Sequence, residues 1–262
     1  MRINMLSSTI LLLVSVSPIF AQEPAPTPAP APAATPAAKS ADDLARRAID
    51  MLAGPAWDKA RYVSFTFSVM SNGKVATSFP QRWDRFTGDY RVSGRDPQGN
   101  DFEVIMNVNT KKGRAWKNGS EVTDPAIFDT GYRRFINDTY WLLMPLKSMY
   151  PGVHREYVGE RSDQCGHAWD VVKLSFDQGV GLTPGDNYWM WVNRDTGIVD
   201  EWDMHLQNMK PDEIPLSVYF HDFKRIGGVL LSTRREIRGK TSSIEFGDVV
   251  VSNEVPKGAF EK

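Results

Sequence analysis

The chain has 262 residues, with 31 Lys and Arg set against 32 Asp and Glu for a formal charge of −1. That balance leaves no basic surplus of the kind that nucleic acid or an anionic membrane surface recruits, so no nucleic-acid partner is expected. Cys165 is the single cysteine, which excludes an internal disulfide and a cysteine-based metal centre and leaves stability to an apolar core.

At the amino end, Arg2 is followed by Ile10, Leu11, Leu12, Leu13 and Val14, and Ala21 offers a small residue before Gln22. The run is shorter than the roughly 20 apolar residues of a spanning helix, so residues 1 to 21 read as a secretory signal peptide. No cysteine lies near the cleavage position, and the expectation is a soluble exported protein of the periplasm. Residues 22 to 39 are nearly all Pro and Ala, a composition that favours extended polyproline geometry and serves as a spacer. With no second linker beyond it, residues 40 to 262 are expected to form one domain and a monomer.

Residues 40 to 52 carry the first helical pattern. Ser40 stands three residues before Asp43 as a cap, and Leu44, Ala48, Ile49, Met51 and Leu52 form an apolar stripe. Gly54 and Pro55 are read as its stop. The period then changes to two, with Val63, Phe65, Phe67 and Val69 on one face and Ser64, Thr66 and Ser68 on the other. Asn72 and Gly73 suit a hairpin turn, since both tolerate positive φ. Further strands are expected over residues 76–86, 90–93, 102–108 and 115–117, and then over 154–160, 168–176, 188–192, 198–206, 216–223, 229–237 and 242–251.

Between the two sets of strands lies the stretch around which the chain is organised. Asp124 can cap a helix and Pro125 suits its first position, and residues 138 to 153 hold an apolar piece, Tyr140, Trp141, Leu142, Leu143 and Met144, ending at Pro145. A helical piece without a polar face needs cover on most sides, which points to a plug set into a curved sheet. Tyr188, Trp189, Met190, Trp191 and Val192 are apolar on both strand faces, which a curved sheet with an occupied concave side would explain. The fold class expected is mainly β with few helices, a curved antiparallel half-barrel sheet enclosing a helical plug.

This layout resembles the LolA/LolB-like half-barrel family of outer-membrane lipoprotein-sorting proteins. Two stretches carry the resemblance in residues: the hairpin from Tyr188 through Asn193, Arg194, Asp195, Thr196 and Gly197 to Val199, and the plug from Asp138 to Pro145. The resemblance implies an apolar cavity that could hold acyl chains of a lipid or lipoprotein. The residues expected to line it are Phe65, Phe67, Trp83, Met106, Trp141, Leu142, Trp189, Trp191 and Trp202.

Candidate chemistry is sparse, and no cofactor or enzymatic activity is expected. Asp129, Thr130 and Gly131, like Asp195, Thr196 and Gly197, repeat the tripeptide of aspartic proteases, in which paired carboxylates share a proton. The bulky Tyr132 and Ile198 follow, and the second copy is explained as a hairpin loop with Gly in the left-handed position. His154, His167, His205 and His221 have no metal-ligand spacing. Two functional expectations result: a periplasmic binder or carrier of an apolar ligand, or a non-catalytic scaffold docking an envelope protein partner. A hydrolase built on Asp129 and Asp195 is the remaining alternative.

Overall fold

The computed structural model describes residues 39 to 262. The expected signal peptide and nearly all of the Pro and Ala spacer lie outside the described residues. Helix α1 (Ala41–Leu52) begins where Ser40 accepts a hydrogen bond from the Asp43 backbone N–H, and it buries Leu44, Ala45, Ala48 and Leu52. Gly54, at φ 50°, turns the chain, and Pro55 then opens a second short helix, α2 (Pro55–Lys59). α1 ends before Gly54 and Pro55 as expected, but α2 was not expected: Pro has no N–H to lose at a first helical position, so it starts a helix as readily as it ends one.

The first set of strands comprises β1 (Tyr62–Ser71), β2 (Lys74–Asp84), β3 (Asp89–Arg95), β4 (Asp101–Asn107), β5 (Lys112–Lys117) and β6 (Ser120–Val122). β6, three residues without an apolar alternation to mark it, was not expected. After helix α3 (Pro125–Lys147) come β7 (Val153–Ser162), β8 (Ala168–Phe176), β9 (Asn187–Asn193), β10 (Val199–His205), β11 (Leu216–Ile226), β12 (Val229–Ile237) and β13 (Ser242–Ser252). The strands form a single 13-stranded antiparallel sheet in which β1 pairs with β13, so that β6 and β7 are the two edges.

That topology dictates where α3 must go. It connects the two edge strands, so it has to cross a face of the whole sheet. Laid flat, thirteen strands about 4.8 Å apart would separate β6 from β7 by about 58 Å. A helix of 23 residues is about 35 Å long, and the chain after it turns back on itself at Ser148 and Tyr150 rather than extending. The sheet therefore curves around the helix. Asp124 caps α3 by accepting from the Ala126 N–H at 2.9 Å, with Pro125 in the first turn, as the sequence indicates. The helix is longer than the expected plug and runs through Pro145 instead of ending there.

Candidate functional site

α3 divides the interior into two apolar clusters. Toward β1–β5 it meets Phe65, Phe67, Trp83 and Met106 through its own Phe135, Leu142 and Leu143. Toward β8–β11 it meets Val172, Met190, Trp202 and Phe220 through Met144. Trp141 packs against both clusters and lies 5.0 Å from Trp202 between ring centroids. Seven of the nine residues expected to line a cavity are thus brought together beneath or within α3. Leu142 and Trp202 are almost fully buried, whereas Trp141 is only half-buried.

Trp189 and Trp191 are the exceptions. Met190 and Val192 point to the interior, so strand alternation turns these two tryptophans to the outer face, where both are half-buried. Their partners on β10 are Asp203 and Glu201, and those carboxylates were the available sign of which face is outer. The two tripeptides lie on different elements, and the hairpin-loop reading of the second one holds. Asp129, Thr130 and Gly131 lie inside α3, where exposed Asp129 pairs with Arg133 at 2.6 Å. Gly131 rests on Val104 so closely that a Cβ would stand 2.7 Å from that side chain, which explains the glycine by packing. Asp195 sits exposed in a hairpin loop closed by the Gly197 N–H donating to the Asn193 carbonyl at 2.7 Å. Three histidines have their own hydrogen-bond partner, His154 with Asp177, His167 with Asp163 and His205 with the Lys210 carbonyl, and His221 Nε2 stands 3.4 Å from Glu236. Among the described residues no group of three or more His, Cys, Asp or Glu is placed to hold a metal ion.

Sequence reasoning missed the buried polar groups that tie α3 down. Asp138 is fully buried, accepts from Gln81 Nε2 and from Asn137 Nδ2, and Gln81 in turn accepts from Tyr90 Oη at 2.6 Å. Burial pushes the Asp138 carboxyl up to about 6, against the pull of Arg134. On the other side Arg235, 1 % exposed, donates to the Ser232 carbonyl at 3.0 Å and to the α3 carbonyl of Leu142 at 3.4 Å, with its guanidinium 3.7 Å above the Phe220 ring. No carboxylate among the described residues pairs with it, and burial brings it down to about 9. Lys147, near the carboxyl end of α3, donates to Thr139 Oγ1 at 2.7 Å and stands 5.6 Å from the Trp83 ring. Burial, assisted by the Arg85 charge, lowers it to about 7.

Among the described residues, the polar atoms around the helix that are buried with no partner include Tyr140 Oη, Arg235 Nε and the indole nitrogens of Trp83 and Trp202. Pro145 also lacks the N–H that the Trp141 carbonyl would otherwise receive, which loosens the last turns of the helix at its most buried stretch. The site is therefore an aromatic trough occupied by a helix, with hydrogen-bonding capacity left unused beneath it.

No protein-family model matches the chain, and no curated protein does. Among solved structures, a LolA superfamily protein from Nitrosomonas europaea superimposes with a TM-score of 0.50, covering 86% of this chain and 99% of its own at 11% identity. The complex of MucA and MucB from Pseudomonas aeruginosa aligns more loosely, with a TM-score of 0.27, 14% identity and coverage of 85% and 60%. The Mycobacterium tuberculosis lipoprotein LppX does the same, with a TM-score of 0.27, 11% identity and coverage of 83% and 99%. The protein has a LolA-like fold, and at these identities the fold is what is shared. Among the described residues no helix is long and apolar enough to cross a membrane.

Proposed function

We propose that the protein is an exported, non-catalytic binder or carrier of an apolar ligand, such as the acyl chains of a lipid or lipoprotein, held between α3 and the concave face of the sheet. One observation carries this reading. The interior leaves Tyr140 Oη, Arg235 Nε and two indole N–H groups buried without partners, although such groups are almost always satisfied in a finished core. A ligand head group entering with its chain would satisfy them, while the chain took the place of Trp141 and Leu142 against the aromatic wall. α3 lies on the sheet through side chains and two polar ties, so it can lift without breaking a strand pairing. In this reading residues 1 to 21 direct export and residues 22 to 39 set the reach of the domain.

Native mass spectrometry of the full chain purified from a periplasm tests the proposal. Co-purifying acyl species that dissociate on mild activation are the expected result. Ligand-free protein that also fails to take up a fluorescent fatty acid would count against it.

The second reading, a scaffold for another envelope protein, draws on a different feature. β2 and β3 pair only at Gln81, Arg82 and Trp83, and where they part a cavity of about 910 Å³ opens beside Val75, Ser78 and Gly94. Strand edges left unpaired in this way can accept an extended peptide.

A further inference from the structure

The outer face carries a feature that the proposed carrier role does not use. A cavity of about 630 Å³ opens there over β8, β9, β10 and β11, away from α3. Its corner is made by Trp169 and Trp191, whose ring centroids are 5.9 Å apart with planes at 76°. Each indole N–H is already committed to a carboxylate: Trp169 Nε1 donates to Asp200 Oδ1 at 2.7 Å, and Trp191 Nε1 donates to Asp203 Oδ2 at 2.9 Å. The indole N–H edges are thereby fixed; the two rings meet edge to face and His167 lies against Trp169 at 6.0 Å between centroids, which leaves the cavity-facing parts of the indoles to meet a ligand.

Between the two tryptophans' partners lies Glu201, only 9% exposed, whose one polar contact is Arg238 Nη2 at 3.5 Å, the outer limit of a hydrogen bond. Asp203 Oδ1 is buried and accepts from nothing. Four carboxylates, Asp163, Asp200, Glu201 and Asp203, thus line the cavity against two guanidinium groups, Arg161 and Arg238, the second of which lies over the Tyr219 ring. Buried carboxylate oxygens without donors are costly, and their sign sets the ligand's. An anion would be repelled. A flat sugar ring asks for a level aromatic platform, which two rings at 76° do not provide. A compact cation fits a corner with aromatic walls and an acidic floor, because ring faces and carboxylates both attract positive charge.

We propose that this notch binds an organic ammonium group, presented by a free amine or by a lipid head group, with the Trp169 and Trp191 faces as walls and the Glu201 and Asp203 carboxylates as counter-charge. Burial, reinforced by Asp203, pushes the Glu201 carboxyl up to about 7, against the pull of Arg238, and burial raises Asp200 also. At the rim, Asp163 holds the His167 imidazolium above its ordinary range. Arg161, Tyr219 and His221 complete the charged and titratable lining. A cation needs Glu201 ionised and gains when His167 loses its proton, so affinity rises with pH through neutrality. The Glu201 share of that rise disappears in Glu201→Gln.

Calorimetric titration of the full chain with choline and ethanolamine, set against the neutral isostere 3,3-dimethyl-1-butanol, tests the assignment. The two ammonium compounds are expected to bind and the neutral one not to. Glu201→Gln and Trp191→Leu should each weaken binding by about tenfold or more while the denaturation midpoint holds. If Glu201→Gln fails to fold, Asp203→Asn and Trp169→Leu read the same site. Co-sedimentation with phosphatidylcholine or phosphatidylethanolamine vesicles, but not with phosphatidylglycerol vesicles, would identify a lipid head group as the source. Binding of the free amines alone would identify a soluble one. Equal binding of the neutral isostere, no binding of either amine, or variants that bind as the parent does would overturn the proposal.

Discussion

The inner and outer faces of this sheet are built from alternate residues of the same strands, yet they present opposite chemistry. On β10, Trp202 and Met204 point inward to an aromatic core, while the alternating Glu201 and Asp203 point outward opposite Trp191 and Trp189. Inside, the buried charges that lack a counter-ion are cations, Arg235 and Lys147, and the unpartnered atoms include the donors of Tyr140, Trp83 and Trp202. Outside, the poorly satisfied groups are acceptors, Glu201 and Asp203. The contrast underlies the two proposals, an apolar chain with a hydrogen-accepting head beneath α3 and a cation on the far side.

The comparison breaks first at Leu142. Leu142→Asp puts a carboxylate at a position 1% exposed within the cluster that α3 forms with β1–β5, so a loss of several kcal/mol or outright failure to fold is expected by denaturant titration. Trp191→Leu on the outer face should leave the midpoint close to the parent's. Near-equal losses would mean that the faces are not energetically distinct.

Lys147→Met has a smaller effect and a sign that can be worked out. Burial lowers the folded-state value from the ordinary 10.5 to about 7, so between those limits the unfolded chain holds more protons. Stability of the parent therefore rises with pH across that window, and the charge is a burden at neutral pH. The Met variant should be more stable at pH 7, by on the order of a few kcal/mol, and should lose that slope in melts from pH 7 to 10. An unchanged slope would mean that Lys147 is well solvated.

The smallest effect expected is that of Tyr140→Phe. The hydroxyl is buried with no partner, so its removal should be neutral or stabilising by about 1 kcal/mol in the ligand-free protein. It should also weaken binding of an acyl ligand that has a polar head. Clear destabilisation without any ligand would show that the hydroxyl already has a partner.

Much of this fold can be read from residues. Alternation at Val63, Phe65 and Phe67 marks β1, Asn72 and Gly73 close its hairpin with φ of 50° and 73°, and Asp124 with Pro125 marks the start of α3. The length of α3 is harder to read, because Arg133, Arg134 and Asp138 interrupt its apolar stripe, and the buried Asp138 accepts from Gln81 of a distant strand, itself held by Tyr90, as well as from its helix neighbours Asn137 and Arg134. Of the aromatic trough, Trp83, Trp141 and Trp202 were legible as residues that pack around α3. Periodicity places Trp189 and Trp191 on one face but not on a particular one, and their pairing with Asp203 and Glu201 decides it. Arg235 could not be foreseen as a buried tie, since its counterpart is a backbone carbonyl 93 positions away.

The central claim, that α3 is a lid over an apolar site, is tested most directly on Trp141→Ala by measuring the association rate of an acyl-chain dye together with the denaturant midpoint. Trp141 is half-buried and packs against both clusters without a polar tie of its own, so its truncation should free the helix while the sheet stays folded. The account predicts dye uptake faster by about tenfold or more with the fold retained. A loss of about 3 to 5 kcal/mol with no change in association rate would make α3 a fixed core element and contradict the claim.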